Sequence, residues 1–397
     1  MIFSRKAEQI APSITLAITA KAKKMRSEGI DVIGFGAGEP DFNTPEHIQE
    51  AAIKAIKNGF TKYTPTSGIM ELKEAIIEKF KKDNGLSYNA SQIIVSTGAK
   101  QCLANAFEAT LNPGDEVIVP VPYWVSYPEL IKLADGVPVF VQTKEEKDFK
   151  YTIEELNKVV TDKTKMIIIN SPNNPTGTVY TKEELESLAN FAKEKDILIL
   201  ADEIYEKLIY GNTKHESIAS LSEDAYKRTI VINGVSKAYS MTGWRIGYAA
   251  ASEEIVKLMS NIQSHTTSNP SSIAQYASVE ALNGNSSDMD EMITEFKKRR
   301  DYMVDKINSI DGLSCIKPEG AFYVMVNISR LFGKKVDGIE IKDSMGFSDL
   351  LLEKQKVAVV PGIGFGLDNY VRLSYATSME NIKNGLDRIE NFTGMLK

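Results

Sequence analysis

The sequence predicts an α/β protein in which a mainly parallel sheet forms the larger domain and a smaller α+β domain accompanies it. Between residues 90 and 250, short apolar runs of strand length alternate with helix-like stretches. This pattern is typical of parallel strands that are covered by helices on both faces. After about residue 285 the pattern changes to a long charged, helix-prone stretch followed by shorter strand candidates. The chain has 397 residues, which is more than one core of ordinary size requires.

The N-terminal segment is predicted to form an amphipathic helix that Ser13 caps and that ends near Gly29. Arg5 and Lys6 precede a short apolar run, as in a secretory signal, but Pro12 and several hydroxyl residues interrupt that run. No stretch of the sequence approaches the roughly 20 apolar residues that span a bilayer. We therefore expect a cytoplasmic protein without a membrane segment.

The predicted strands of the larger domain are Ile93–Val95, Val117–Val119, Val137–Val141, Met166–Ile169, Ile197–Leu200 and Ile230–Ile232. Among the helices between them, one has a clear start, because Thr181 and Glu184 have the spacing of a capping box. The smaller domain has strand candidates at Phe322–Val326, Val357–Val360 and Tyr370–Ser374, and a last helix over Met379–Met395. The predicted domains are residues 45–285 for the larger one, and residues 1–44 with 286–397 for the smaller one.

The amino-acid composition limits the kinds of ligand, metal and cofactor that the protein is expected to use. The net charge of −6 is a poor match for nucleic-acid binding, which requires a basic face. Cys102 and Cys315 are too few for a disulfide framework and are expected to be buried thiols in a reducing compartment. The three histidines are far apart in sequence and lack metal-ligand spacing, so we expect no metal site. With so little His and Cys, an organic cofactor is expected to supply the difficult chemistry.

Polar residues follow the predicted strands, where ligands bind in open α/β sheets. They are Ser96–Lys100 at a helix start, the aromatic Trp124, the turn-rich loop Asn170–Gly177, Asp202, and the pair Ser236 and Lys237. A lysine can form a Schiff base with an aldehyde, a carboxylate can face a pyridine nitrogen, an indole can stack on a ring, and a helix start can bind a phosphate. These are the requirements of pyridoxal 5'-phosphate (PLP).

The motifs also carry a family resemblance. They are GAGEPDF (36–42), YTPTSG (63–68), GAKQ (98–101), PYWVSY (122–127), SPNNPTG (171–177), DEIY (202–205), SKAYSMTGWR (236–245) and VRLSY (371–375). In this order, over nearly the whole chain, they resemble the class I aminotransferases of PLP fold type I, in the bacterial branch that is similar to aspartate aminotransferases. The resemblance implies a seven-stranded, mainly parallel sheet in an α/β/α sandwich with a small α+β domain.

The resemblance also implies a role for each matching residue. Lys237 is the Schiff-base lysine and the proton-transfer base, Asp202 pairs with the pyridinium nitrogen, and Arg372 binds the substrate α-carboxylate beside Gly38. The remaining cofactor contacts are Tyr205 and Asn174 at the phenolic oxygen, Trp124 on the ring, and Ser236, Arg245 and the Ala99–Lys100 backbone at the phosphate. Tyr63 reaches the phosphate of a neighbouring subunit, which implies a homodimer with shared sites. Asn174 and Trp124 also face the substrate.

The substrate is predicted to be aspartate, with 2-oxoglutarate as acceptor, in a ping-pong reaction. One family branch binds the distal carboxylate through an arginine of the other subunit, but residues 261–270 contain none. Lys100 is the counterpart in the branch that this chain resembles, and its charge at a helix N-terminus is otherwise unfavourable. Aromatic, alanine or prephenate specificity remains open because Thr15 and Thr19 are candidates for the pocket lining.

Other enzymes and a regulator are weaker alternatives. A PLP-dependent C–S lyase or decarboxylase would share the same core motifs. A nicotinamide-dependent dehydrogenase is disfavoured, because Glu39 and Pro40 follow Gly34, Gly36 and Gly38 where a third glycine and a helix start are required. A PLP-sensing regulator would need a DNA-binding module, for which the 44 residues before Pro45 are too few.

Overall fold

The computed structural model describes residues 3–397. The helices are α1 (Arg5–Glu8), α2 (Ile14–Ser27), α3 (Glu46–Lys57), α4 (Met70–Asn84), α5 (Ala99–Thr110), α6 (Ser126–Leu133), α7 (Ile153–Val159), α8 (Lys182–Glu194), α9 (Glu223–Arg228), α10 (Glu253–Thr266), α11 (Ser272–Asn283), α12 (Ser287–Ser309), α13 (Ser344–Gln355) and α14 (Met379–Gly394). The strands are β1 (Ile33–Gly34), β2 (Ile93–Ser96), β3 (Glu116–Val121), β4 (Val137–Gln142), β5 (Thr164–Asn170), β6 (Leu198–Asp202), β7 (Thr229–Gly234), β8 (Gly247–Ala250), β9 (Tyr323–Asn327), β10 (Lys335–Val336), β11 (Ile339–Glu340), β12 (Val357–Ala358), β13 (Val360–Pro361) and β14 (Tyr370–Ser374).

The central sheet has seven strands in the order β2-β8-β7-β6-β5-β3-β4. Its neighbours are parallel except at β8, which runs antiparallel to both β2 and β7. The predicted mainly parallel seven-stranded sheet is therefore confirmed. The strand β8 was not predicted from the sequence, since its residues, Gly-Tyr-Ala-Ala, have mostly weak strand propensity.

Helices cover both faces of this sheet. Along β5, Met166 and Ile168 pack on one face with residues of α5, α6 and α10. Ile167 and Ile169 alternate with these two residues along the strand, and they pack on the other face with residues of α7 and α8. Helices α4 and α11 cover that second face near β2 and β8. Because successive strand residues point to opposite faces, continuous apolar runs are what a sheet buried on both sides requires.

The C-terminal part contains a separate antiparallel sheet in the order β13-β14-β9. The N-terminal segment joins this part, because β1 pairs in parallel with β12 and Phe35 lies in the same apolar core as Phe296, Phe347 and Phe392. The predicted strand over Val357–Val360 is in fact split into β12 and β13, which pair with different partners. The domain boundaries at residues 45 and 285 stay a prediction.

The predicted helix signals agree with the structure. The Ser13 hydroxyl accepts a hydrogen bond from the Leu16 N–H, and α2 ends two residues before Gly29. Thr181 and Glu184 form a reciprocal capping box at the start of α8. Cys102 and Cys315 are both buried and free. Within residues 3–397, no helix has the length and apolar character needed to cross a membrane.

Candidate active site

The residues predicted from the strand ends converge on one cavity of about 590 Å³. Asn170 and Asp202 end the neighbouring strands β5 and β6, and Ser236 and Lys237 follow β7. The cavity lining includes Gly38, Ala99, Lys100, Trp124, Asn174, Asp202, Tyr205, Ser236, Lys237, Arg245 and Arg372. Of the predicted site residues, only Tyr63 lies elsewhere, and its side chain is 92% exposed.

Lys237 presents its amine at the centre of this group. Its Nζ donates a 2.6 Å hydrogen bond to the Gly38 carbonyl. Burial lowers the pKa of Lys237 to about 8, and although Glu39 opposes this shift, the positive charges of Arg245 and Arg372 add to it. A neutral amine, which is the nucleophilic and basic form, is therefore accessible near neutral pH.

Asp202 is a buried carboxylate, 4% exposed, at the carboxyl end of β6. Its Oδ2 accepts a 2.7 Å hydrogen bond from the Tyr127 hydroxyl, and its Oδ1 accepts one from the Ile204 N–H. Burial raises the pKa of Asp202 to about 6, although both hydrogen bonds favour the charged form. A cationic partner would stabilise this carboxylate, and a protonated pyridine nitrogen has that chemistry.

The start of α5 offers an anion site. Gly98, with φ of 85°, precedes the helix and provides no side-chain cap, so the first N–H groups are free for a ligand. A Cβ atom at Gly98 would collide with the Arg245 guanidinium, so glycine is required for that guanidinium to lie against the helix start. Arg245 is exposed and Ser236 is buried, and both line the same cavity. This donor set fits a phosphate group.

Arg372 lies on β14 and is 3% exposed. One of its terminal nitrogens, Nη1, donates to Asn174 Oδ1 at 3.0 Å, and the other, Nη2, donates to the Gly36 carbonyl at 3.1 Å. Its Nε is buried and has no hydrogen-bond partner among residues 3–397. A buried donor without a partner is unfavourable, and a carboxylate would satisfy it. The Tyr323 ring supports the guanidinium at 4.3 Å from its centroid.

Lys100 lies beside the aromatic wall of the cavity. Its Nζ lies 5.0 Å from the centroid of the half-buried Trp124 ring. Burial and the nearby Arg245 charge lower the pKa of Lys100. Thr15 and Thr19 of α2 also line this cavity, as the sequence predicted. Lys100, Thr15 and Thr19 therefore border the same cavity as Lys237 and Arg372.

Three further side chains complete the site and were not assigned roles from the sequence. Tyr127 binds Asp202, and the Tyr323 hydroxyl is 2.9 Å from the Tyr205 hydroxyl. Asn170 donates to the Asp202 carbonyl at 2.9 Å and accepts from the Asn174 N–H at 2.8 Å. Asn170 directly follows an apolar run, which is a usable signal, whereas Tyr323 lies on a strand of the other sheet and has no local signal.

Comparison with known proteins agrees with this arrangement. The family described as "Aminotransferase class I and II" matches residues 30–389. Aspartate aminotransferase of Bacillus subtilis (strain 168) is 53% identical over 392 residues, with 99% of each chain covered. A probable aspartate/prephenate aminotransferase of Rickettsia bellii is 49% identical over 397 residues, with 100% of each chain covered.

Solved structures give the same result. The aspartate aminotransferase from Rhizobium meliloti superposes with a TM-score of 0.96 at 44% identity, covering 100% of each chain. The aspartate aminotransferase from Thermus thermophilus with maleate superposes with a TM-score of 0.93 at 44% identity, covering 98% of this chain and 99% of that one. These matches confirm the predicted fold, and the chain belongs to the class I and II aminotransferase family.

Proposed function

We propose that this protein is a PLP-dependent aminotransferase that transfers the amino group of L-aspartate to 2-oxoglutarate. The observation that carries the proposal is that Lys237, Asp202 and Arg372 converge on one cavity. The first offers an amine with a lowered pKa, the second a buried carboxylate, and the third a guanidinium with an unpartnered Nε. Relatives about half identical over the full chain are named aspartate aminotransferases, which supports this substrate.

PLP, when bound, supplies a conjugated electron sink for the bonds at the substrate Cα. Asp202 would hold the ring nitrogen in its protonated form, and Trp124 would lie against the ring. Asn174 and Tyr205 would bind the phenolic oxygen. The phosphate would be held by Ser236, Arg245 and the backbone at Ala99 and Lys100.

The protein groups then act on the substrate. Arg372 would bind the α-carboxylate as a two-pronged donor and so orient the Cα, and Gly38 allows the backbone to approach closely beside it. The Lys237 amine would accept the Cα proton at Nζ and then donate that same proton to the bound cofactor, which leaves the amine neutral again. The Gly38 carbonyl, 2.6 Å from Nζ, would steady this amine. A 2-oxo acid leaves before the acceptor enters, which gives ping-pong kinetics.

Lys100 is the proposed partner of the distal carboxylate of aspartate. Its side chain reaches the cavity beside Trp124. Binding of the distal carboxylate there requires only a positive charge, which the lysine ammonium supplies. Prephenate is the second candidate. It also has a carboxylate away from the reacting carbon, and Thr15 and Thr19 add hydroxyl groups to the same wall. A relative named as an aspartate/prephenate aminotransferase supports this candidate.

We also propose a homodimer with shared sites. Tyr63 is 92% exposed outside its own cavity, which fits a side chain that serves the phosphate of a neighbouring subunit. Exposed apolar residues lie nearby in sequence: Ile53, Ile56, Phe60 and Met70. Exposed apolar residues that form a contiguous patch mark protein contacts, and these four residues are candidates for such a patch. Analytical ultracentrifugation of the wild type, and mixed dimers of Tyr63→Phe with Lys237→Ala subunits, would test this arrangement.

Two further proposals concern the chain as a whole. The part formed by residues 1–44 and 286–397 is proposed to close over the substrate through Arg372, against the cofactor-binding part formed by residues 45–285. A cytoplasmic location is supported by two buried cysteines that form no disulfide.

A matrix of amino donors and 2-oxo acid acceptors, assayed with purified PLP-loaded enzyme, tests the function. We expect aspartate with 2-oxoglutarate to have the highest kcat/KM, and one acceptor to be consumed for each donor. Product formation without an acceptor would indicate a lyase or decarboxylase instead. A higher kcat/KM for alanine or an aromatic amino acid would overturn the assignment of aspartate.

A further inference from the structure

A buried cluster of charged side chains lies next to the catalytic turn, and none of its members lines the active-site cavity. We call it the His215 cluster; it consists of Lys79, Glu203, Glu206 and His215. Each of these side chains is at most 8% exposed. Lys79 comes from α4, whereas Glu203 and Glu206 belong to the turn that follows β6. Charged groups this deeply buried require close partners.

The cluster is tightly connected. The Nε2 atom of His215 lies 3.2 Å from Glu203 Oε2 and 3.9 Å from Glu206 Oε2. Lys79 forms an ion pair with the other oxygen of Glu206. Both carboxylates are thus in contact with His215, and one is also in contact with Lys79.

Other titratable groups also lie beside the cluster: the Lys207–Asp83 ion pair, which balances its own charge, and the hydroxyls of Tyr88, Tyr239 and Tyr248. Two neutral side chains make direct contact with the carboxylates. The Ser217 hydroxyl donates to Glu203 Oε1 at 2.7 Å. Asn84 donates to Glu206 Oε2 at 3.0 Å and accepts from Lys79 at 2.8 Å. Ser217 and Asn84 carry no charge, so the protonation state of His215 decides the net charge of the cluster.

The charge balance favours a protonated His215 over a metal ion, although the Nδ1 of His215 is buried and has no hydrogen-bond partner among residues 3–397. Ligand atoms of Glu203, Glu206 and His215 lie within 4.8 Å of one another, a spacing that would suit a cation. However, two carboxylates and the Lys79 ammonium sum to −1, so a single proton on His215 gives neutrality. A divalent ion with neutral histidine would leave a buried charge of +1 beside Lys79, which is unfavourable. Burial lowers the pKa of His215, but Glu203 and Glu206 outweigh burial, and the net shift is upward.

The cluster is bonded directly into the catalytic turn. Glu203 follows Asp202 in the chain, and its N–H donates to the Ile232 carbonyl of β7. The Glu206 N–H donates to the Glu203 carbonyl at 2.9 Å, which closes the turn around Tyr205. Glu203 therefore adjoins Asp202, and Glu203 and Glu206 lie on either side of Tyr205, so the cluster is bonded to both residues proposed to contact the cofactor.

We propose that His215 is a positioning residue, held as a buried imidazolium that neutralises Glu203 and Glu206 and thereby keeps Asp202 and Tyr205 in their catalytic positions. The catalytic part of this inference rests on the proposed function. The charge state of His215 does not depend on the proposed function, and it is tested separately.

The first experiment determines the charge state in the wild-type holoenzyme. Histidine labelled with ¹³C is followed by NMR against pH, and the other two resonances are assigned with His47→Gln and His265→Gln. We expect His215 to be an imidazolium at pH 7 and to titrate above the ordinary histidine pKa of about 6.5. A neutral His215 at pH 7 would overturn the proposal, as would one equivalent of bound zinc by elemental analysis that EDTA removes with a loss of thermal stability.

The second experiment uses variants. His215→Gln leaves two buried carboxylates with one lysine, so we expect a lower Tm and a kcat reduced on the order of tenfold to hundredfold, the range that displaced catalytic groups produce. The KM for aspartate should change little, since its carboxylate ligands lie elsewhere. The double variant Glu203→Gln, His215→Gln restores neutrality and should regain Tm and kcat relative to His215→Gln. His265→Gln is the matched control and should behave as the wild type.

The pH dependence of Tm supplies a further readout. A histidine whose pKa is raised by folding stabilises the protein fully below its ordinary pKa of about 6.5, and this contribution disappears as pH rises through the folded-state value. The Tm difference between the wild type and His215→Gln should therefore be largest below pH 6.5 and shrink as the pH rises. If the double variant is no better than His215→Gln, or if the Tm difference is the same at every pH, the proposal is wrong. Absence of aspartate turnover alone would contradict only the proposed function.

Discussion

The Tyr127 hydroxyl donates a 2.7 Å hydrogen bond to Asp202 Oδ2, and both side chains are buried. The bond joins α6 to the carboxyl end of β6. It favours the ionised carboxylate and so opposes the burial that raises the pKa of Asp202 to about 6. Tyr127 therefore helps to keep Asp202 negatively charged, the state in which it can hold a protonated pyridine nitrogen.

Removal of this bond should weaken catalysis. We expect Tyr127→Phe to raise the pKa of Asp202 and to lower kcat/KM by roughly tenfold to hundredfold, because hydrogen bonds to charged groups contribute about 1.5–3 kcal/mol. Steady-state kinetics and PLP affinity measure the effect. Tyr151→Phe is the matched control, since it removes a buried hydroxyl that bonds to the Ile168 carbonyl. Equal losses in both variants would contradict a specific role for Tyr127.

Binding of PLP to the cofactor-free enzyme should become faster as pH rises from about 5 to 9, because the reacting amine must be neutral and the carboxylate ionised. Burial raises the pKa of Asp202 to about 6, so its carboxylate predominates above that pH. Burial lowers the pKa of Lys237 to about 8, so its free amine predominates above that pH. Stopped-flow absorbance against pH would show two rising steps, and Asp202→Asn should remove the lower one. A rate that is flat or falls over this range would contradict both assignments.

Lys100→Ala should separate acidic from neutral substrates. Loss of the amine beside Trp124 is expected to lower kcat/KM for aspartate by about tenfold to hundredfold, because one charge-assisted contact is lost. Activity with alanine, which has no distal carboxylate, should stay within about twofold. Lys100→Arg is the control that keeps the charge. If alanine and aspartate lose activity equally, Lys100 is not the distal carboxylate ligand.

Arg372→Lys should raise the KM for every amino acid substrate. Lysine keeps the charge but cannot reproduce the planar fork or the Nε donor that lies buried and unpartnered. We expect kcat/KM to fall by about tenfold to hundredfold for aspartate and alanine alike, in contrast to Lys100→Ala. Arg388→Lys, at a surface ion pair with Asp31, is the matched control and should be near wild type. A wild-type KM in Arg372→Lys would refute the role.

Much of the fold could be predicted from local patterns. Continuous apolar runs between helices identified six of the seven central strands. Five of these are mostly buried on both faces, which leaves few polar positions within a strand, whereas the edge strand β4 is apolar although Val137 and Phe140 are exposed. The strand β8 escaped prediction, since its small residues lack that pattern and only pairing with β2 and β7 defines it. The stretch over Val357–Val360 looked like one strand but divides where it changes partners.

Short motifs and apolar runs in the sequence were enough to predict the family and most of the order of the elements, and they led to the prediction of Lys237, Asp202 and Arg372 as site residues. The contact of Tyr127 with Asp202 and the buried cluster of Lys79, Glu203, Glu206 and His215 could be recognised only in the folded chain. The spacing of the histidines in the sequence predicted no metal site. In the structure, the charges of Glu203, Glu206 and Lys79 sum to −1, which favours a proton on His215. The physical reason is that such contacts join residues far apart in the chain, and burial then sets their charge states.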